Sequence, residues 1–270
     1  MFASMQPATL PATADAALPV VEARGVTMRF GGLTAVDGMS IALRRGELLG
    51  LIGPNGAGKT TLFNMLAGSL TPTGGAIRIA GHDVAHEGAE RRIARGLGRT
   101  FQIPRPFAEM TVLENVLTGG QRQGGEQIWM NFLRPRRVAA EEKAAIDKAR
   151  SLLDFVTLSA LEHEPARVLS GGQRKLLELA RVLMADPDIL LLDEPAAGVN
   201  PTLLEFIIGR VTDLNASGKS ILLIEHNMDM VARLCSRVVV MAVGKHLTEG
   251  KPADVARNPA VIEAYLGDVA

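Results

Sequence analysis

Gly53-Pro54-Asn55-Gly56-Ala57-Gly58-Lys59-Thr60 decides how the rest of the chain is read. Two glycines separated by four residues and followed by Lys and Thr make a phosphate-binding loop. Ahead of it, Glu47-Leu48-Leu49-Gly50-Leu51-Ile52 is a short apolar run that predicts a buried strand. After it, Thr61-Leu62-Phe63-Asn64-Met65-Leu66 has helical spacing, so the loop has the strand–loop–helix context its chemistry requires. Gly53, Gly56 and Gly58 let the backbone take positive φ and curl around an anion, with Pro54, Asn55 and Ala57 completing the curl. The first-turn N–H groups of the helix add the positive end of its dipole. Lys59 supplies a point charge for β and γ phosphates. Thr60 presents its hydroxyl to the Mg²⁺ that bridges them, and Thr61 adds a phosphate hydrogen bond. The alternative is a plain glycine turn joining a strand to a helix, and the flanks weigh against it.

Composition narrows the possibilities further. The 270 residues suffice for one large domain, or a domain with a subdomain, around a proper core. Lys plus Arg and Asp plus Glu both number 29, so no net charge draws the chain to nucleic acid or anionic lipid. Cys235 is the only cysteine, which excludes an intrachain disulfide and a cysteine-built metal site, as in a reducing cytosol. No apolar run approaches the roughly 18 residues of a membrane span. The N-terminus has no basic start and apolar centre, so a chain that neither spans a membrane nor is exported is expected.

Residues 1–19 are rich in Ala, Pro and Thr and predict a disordered tail. Residues 20–30 alternate like an edge strand, ending at Phe30-Gly31-Gly32. Phe30 suits either core packing or a ring that stacks on an adenine. Ala76-Ile77-Arg78-Ile79 predicts a short strand, and His82 and His86 in the following polar turn lack further ligands and belong to solvent. Arg99-Thr100-Phe101-Gln102 ends another strand, before two prolines that forbid regular structure. Residues 107–182 change character. A helix start at Met110-Thr111-Val112 leads into a Gly/Gln/Arg-rich stretch in which Trp129 and Phe132 pack on the subdomain or face a partner. Residues 138–156 form an exposed amphipathic helix.

Three later stretches carry polar groups at element ends. Leu169-Ser170-Gly171-Gly172-Gln173 opens a strongly amphipathic helix and makes either a simple N-cap or a second anion-binding mouth. Ile189-Leu190-Leu191-Leu192 is a buried parallel strand that ends in Asp193-Glu194-Pro195, where open α/β sheets bind ligands. There Asp193 can hold Mg²⁺ through water and Glu194 can polarise an attacking water; a surface-loop Asp-Glu is the alternative, and burial costs at this position weigh against it. Ser220-Ile221-Leu222-Leu223-Ile224 is the next buried strand, and His226 at its end is either structural or a sensor of a γ phosphate. A helix over 228–234, a strand over 238–243 and a last helix over about 253–265 follow.

The phosphate loop, Gln102, residues 169–173, Asp193-Glu194 and His226, in this order, resemble the nucleotide-binding subunit of ABC transporters. The resemblance covers about residues 20–270, and the Leu-Ser-Gly-Gly-Gln signature is hardly found elsewhere. It implies an α/β P-loop NTPase core with a mainly parallel sheet, an N-terminal antiparallel β-subdomain and an inserted α-helical subdomain at about 107–182. It implies ATP and Mg²⁺ as cofactors. It further implies that Gln102 contacts the metal and couples to the permease, that Ser170, Gly171, Gly172 and Gln173 grip the γ phosphate of a partner's ATP, that Glu194 is the catalytic base and that His226 is the switch histidine.

Within that family, Arg99-Thr100-Phe101-Gln102, residues 194–201, Glu225-His226-Asn227-Met228 and the tail from Asn258-Pro259 to Tyr265-Leu266-Gly267 look like the LivG-type ATPase of branched-chain amino-acid importers. This likeness implies a peripheral ATP-hydrolysing subunit on the cytoplasmic face of the inner membrane. Its partners would be a second ABC ATPase, homologous or identical, two transmembrane permeases and, indirectly, a periplasmic binding protein, with no nucleic acid. Asn200 stands where many ABC ATPases have Asp in the D-loop and can still hydrogen-bond across a dimer. An ATPase of a lipopolysaccharide-type exporter shares a similar Tyr-Leu-Gly tail, but the 99–102 segment argues for import. Soluble ABC proteins of translation or repair carry two cassettes or a long coiled coil, and neither lies between Lys59 and Ser170. A P-loop kinase would have no use for the signature helix.

Overall fold

Alternating side chains with one wet and one dry face build the first layer. In the computed structural model, which describes residues 18–100, 105–121 and 135–266, β1 (Val21–Phe30) and β2 (Leu33–Leu43) pair antiparallel. With β4 (Gly74–Ile79) and the two-residue β5 (His82–Asp83) they form a sheet of order β2-β1-β4-β5. The expected edge strand at 20–30 is therefore a central one, flanked on both sides. An antiparallel strand with one solvated face alternates wherever it sits in the sheet, so alternation alone does not mark an edge. The expectations for residues 1–17, for Gln102 and for Trp129 and Phe132 concern positions outside the described residues.

The second sheet grows from the short apolar runs. Strands β3 (Leu48–Ile52), β6 (Leu97–Arg99), β7 (Ile189–Asp193), β8 (Ser220–Ile224), β9 (Arg237–Ala242) and β10 (Lys245–Gly250) stand in the order β10-β9-β3-β8-β7-β6. All neighbours are parallel except β10, which pairs antiparallel with β9. The period-2 geometry of a strand sorts their side chains onto two faces. Leu49, Leu51, Ile189, Leu191, Leu222, Ile224, Val239 and Met241 pack in one core with the antiparallel sheet. Their neighbours Leu48, Ile52, Leu190, Leu192, Ile221, Leu223, Val238 and Val240 pack in another with most of the helices. Both faces are covered, which is why these runs read as continuously apolar.

Helix α1 (Lys59–Ala67) follows β3 and lies in the core shared with the antiparallel sheet. Helix α2 (Ala89–Ala94) carries Arg92, which is fully buried and bonds the carbonyls of Met65, Leu66, Val84 and Glu87. Its guanidinium thus takes up the last-turn carbonyls of α1, where a cation also opposes the helix dipole. Between β6 and β7 the chain leaves the sheet to form α3 (Val112–Leu117), α4 (Pro135–Phe155) and α5 (Gly171–Met184), which pack on one another. Helix α3 begins at a capping box between Thr111 and Glu114.

Helices α6 (Pro201–Ala216) and α7 (Met228–Leu234) continue the alternation of helix and strand. The single last helix expected at 253–265 is two, α8 (Pro252–Val255) and α9 (Pro259–Leu266). Pro259 has no N–H to continue the first helix, and proline is at home in a helix's first turn.

Candidate functional site

The phosphate loop leaves the carboxyl end of β3 and enters α1 through Gly58, which has φ 94° and caps the helix without any side-chain bond. The tight fit of this turn explains two of its glycines. A Cβ on Gly53 would lie 2.0 Å from the Met241 carbonyl oxygen, and one on Gly58 would lie 2.4 Å from that of Ala35. Lys59 is 6% exposed, and its ammonium group donates to the carbonyls of Gly53 at 2.7 Å and Pro54 at 2.8 Å. These bonds hold the curl in shape, while no side-chain cap covers the α1 mouth. A cleft of about 440 Å³ opens there, lined by Asn55, Gly56, Ala57, Gly58, Lys59, Thr60 and Thr61 and on its far side by Glu194 and His226.

The carboxylates come from the ends of β7 and β8, the next-but-one and the adjacent strand to β3. Asp193 closes β7, 4% exposed, and its N–H donates to the Thr100 hydroxyl oxygen at 3.2 Å. Burial pushes its carboxyl above the usual range, and the Arg99 guanidinium, 3.5 Å away, pulls against that. Arg99 in turn lies over the Phe63 ring of α1. Glu194 adopts a left-handed φ of 48° and donates its N–H to the Ile224 carbonyl at 2.9 Å. That turn swings its carboxylate toward the loop, where Oε1 is 3.1 Å from His226 Nε2.

Glu225, between β8 and His226, holds the two turns together. It is 3% exposed, and its carboxylate accepts the N–H of Ala196 at 2.6 Å, of His226 at 3.1 Å and of Asn227 at 3.2 Å. No motif marks its role, although an acid directly after the apolar run 221–224 is a signal that it is buried against donors. Arg99 and Lys175 carry no local signal of their contacts either. Lys175 reaches from α5 to the carbonyls of Glu194 and Pro195.

Other residues of interest lie apart from the cleft. Ser170 caps α5 in a capping box: its hydroxyl accepts the Gln173 N–H at 3.3 Å, and the Gln173 side chain accepts the Ser170 N–H at 2.9 Å. Ser170, Gly171, Gly172 and Gln173 do not line the cleft beside Lys59. Phe30 is 47% exposed at the β1–β2 turn, one turn residue pair away from Leu33 of the cleft wall, so it is not core. Asn200 caps α6, accepting the Leu203 N–H at 2.8 Å. Either amide or carboxylate can do this, so the departure from Asp leaves the local fold intact. His82 and His86 are exposed, as expected.

Hard oxygen donors suit Mg²⁺, and the Thr60 side chain and the Asp193 carboxylate border one cavity of about 710 Å³ beside α1. A hydroxyl and a carboxylate are the donor types this metal takes, and the Arg99 guanidinium 3.5 Å from Asp193 shares that carboxylate. A glycine-built phosphate cradle after a buried parallel strand, with an Asp-Glu pair at the end of the next-but-one strand, defines a P-loop nucleoside triphosphatase.

Comparison with known proteins narrows the class. Residues 36–197 match the family described as "ABC transporter", and residues 245–270 match "Branched-chain amino acid ATP-binding cassette transporter". The chain is 39% identical over 251 residues to the high-affinity branched-chain amino acid transport ATP-binding protein BraF of Pseudomonas aeruginosa, covering 93% of this chain and 98% of that one. It is 40% identical over 253 residues to the LivG protein of Escherichia coli K12, which bears the same description, with the same coverage. A crystal structure of a nucleotide-free ATP-binding cassette from an ABC transporter superposes with a TM-score of 0.80 at 35% identity, over 92% of this chain and 98% of that one. The chain belongs to the ABC transporter family, as its ATP-hydrolysing subunit.

Proposed function

We propose that this chain binds ATP with Mg²⁺ and hydrolyses it to drive an importer of branched-chain amino acids. The observation that carries the reading is the 3.1 Å contact between His226 and Glu194 inside the cleft walled by the phosphate loop. In it, Lys59 and the α1 N–H groups take the β and γ phosphates, helped by Thr61, and the Phe30 ring stacks on the adenine. Thr60, Asp193 and Gln102 hold Mg²⁺, which when bound neutralises charge developing on the transferred phosphoryl group. Glu194 accepts the proton of the attacking water, and His226 keeps that carboxylate aimed at the γ phosphate.

Ser170, Gly171, Gly172 and Gln173 serve the nucleotide of a second ATPase subunit, homologous or identical. Their absence from this chain's own cleft supports that assignment. In this reading residues 20–270 form one nucleotide-binding domain with the helical subdomain at about 107–182, behind a tail of 19 residues. No helix among the described residues is long and apolar enough to cross a membrane. In this reading the chain works peripherally, at the cytoplasmic face of the inner membrane, on two permeases supplied by a periplasmic binding protein, and the names of the relatives as transport ATP-binding proteins support the permease partners. Charge balance supports the absence of a nucleic-acid partner. The names of the relatives and the matched segment 245–270 support branched-chain amino acids as cargo.

The test is Glu194→Gln in the assembled transporter. ATP binding persists, hydrolysis falls by about 10² or more, the upper scale of a lost general base, and uptake of labelled leucine, isoleucine and valine stops with it. Normal turnover in the variant removes Glu194 from the mechanism. Uptake that continues in cells lacking this chain removes the proposed cargo.

A further inference from the structure

Lys175 stands one turn inside α5, on the helix that Ser170 caps. Its ammonium group donates to the carbonyl of Glu194 at 2.9 Å and to that of Pro195 at 3.4 Å. Both acceptors lie beyond the end of β7, so the side chain bridges the α5 mouth and the turn that carries Glu194. That turn needs holding, because Glu194 keeps a left-handed backbone that a non-glycine residue adopts only against steric cost. The Ile224 carbonyl and the Glu225 carboxylate hold it from the β8 side, through the N–H groups of Glu194 and Ala196. Only Lys175 holds it from the α5 side among the hydrogen bonds described for the turn.

The chemistry of the position points the same way. Burial pulls the Lys175 ammonium below the usual lysine range, and the carboxylates of Glu225, Glu194, Glu178 and Asp193 oppose that, in this order. The cavity beside it has an apolar wall of Leu176, Leu179, Leu192, Ile207 and Val211 and is also bordered by Glu178, Asp193 and Glu194, so the ammonium sits between apolar side chains and the acidic strand end. A cation in this setting is placed to bind main-chain oxygen.

We infer that Lys175 is a positioning residue: it ties the α5 mouth to the main chain of Glu194, so that the group meeting the partner's nucleotide and the base serving this chain's own nucleotide move as one unit. The inference rests on the shared ATP site proposed above. A rotation of α5 on engaging the partner's nucleotide is thereby delivered to the Glu194 backbone, while the phosphate loop, anchored on β3 and α1, stays in place.

The test compares Lys175→Met with Lys175→Arg in the assembled transporter. Met keeps the length and loses the donors, whereas Arg keeps donors in reach of both carbonyls. In Lys175→Met, kcat for ATP falls about 10- to 100-fold, the scale of a roughly 1 Å displacement of a reacting group, while KM and equilibrium ATP binding hold. Lys175→Arg recovers most of the rate, and ATP-bound dimer accumulates in the Met variant as it does in Glu194→Gln. A side chain that served stability alone would lower the melting temperature and leave kcat of the folded protein untouched, which overturns the inference. If Lys175→Met does not assemble, Lys175→Gln, with a shorter donor, is read by the same criteria. A wild-type complex that hydrolyses no ATP, or is unaffected by Glu194→Gln, overturns the underlying reading instead.

Discussion

Helices α1 and α5 both have glycine at their mouths, Gly58 as the cap of α1 and Gly171-Gly172 as the first residues of α5, yet the mouths are built in opposite ways. Gly58 gives α1 no capping side chain, and the loop around it is so close to Met241 and Ala35 that no Cβ fits at Gly53 or Gly58. The α5 mouth is capped twice over by Ser170 and Gln173, is exposed at Ser170 and Gly171, and has open space around Gly171. A mouth without a cap keeps its donors for a ligand and must be braced by other means, here by Lys59 bonding the loop's own carbonyls. A capped mouth is stable in the separate chain and can wait for a ligand brought by another subunit.

The sharpest way to break this contrast is Lys59→Ala, which removes both the brace and the charge. ATP affinity measured at equilibrium falls by about 10² or more, the size of one or two lost charge-assisted hydrogen bonds. Affinity equal to wild type would mean that the loop does not cradle phosphate. Glu194→Gln, by contrast, leaves binding intact, so the two variants fail at different steps.

A covalently linked pair of this chain tests the division of labour with a smaller, two-way effect. With Lys59→Ala in one copy and Ser170→Arg in the other, both lesions fall in one shared site, and the second site still traps a nucleotide. With both lesions in one copy opposite a wild-type copy, each site carries one lesion and trapping is lost. More trapped nucleotide in the second arrangement would place both mouths at the same chain's ATP.

The smallest effect belongs to Ser170→Ala. Losing the cap costs about 1 kcal/mol, or roughly 2–4 °C in melting temperature for a chain of this size, in urea or thermal unfolding without nucleotide. A much larger loss would show that Ser170 is held by more than its capping box, and the contrast with α1 would need redrawing.

Much of the site was legible because its signals are local. The phosphate loop occupies consecutive residues, its strand and helix flank it, and the runs ending in Asp193 and before Glu225 are apolar on both faces. Helix α7 was readable over its full length, since Asn227 caps it and Cys235 ends it. Residues 33–43 are less legible, a long strand with Gly38 inside it and an exposed start. Asn200-Pro201 is an N-cap followed by an N1 proline, a local signal for the start of α6. The break between α8 and α9 was equally marked by Pro259.

The sequence by itself determined the phosphate loop, because the spacing of glycines, lysine and threonine along a turn is set by covalent geometry within a few residues, and it carried the family resemblance through the order of that loop, residues 169–173, Asp193-Glu194 and His226. Only the tertiary structure decided that β1 is central, that Arg92 closes the far end of α1, that Glu225 joins two turns and that Lys175 reaches Glu194. Each of these joins segments distant in the chain. A buried charge finds its partner by where packing leaves unpaired carbonyls and N–H groups, and no local pattern records which distant backbone group that will be.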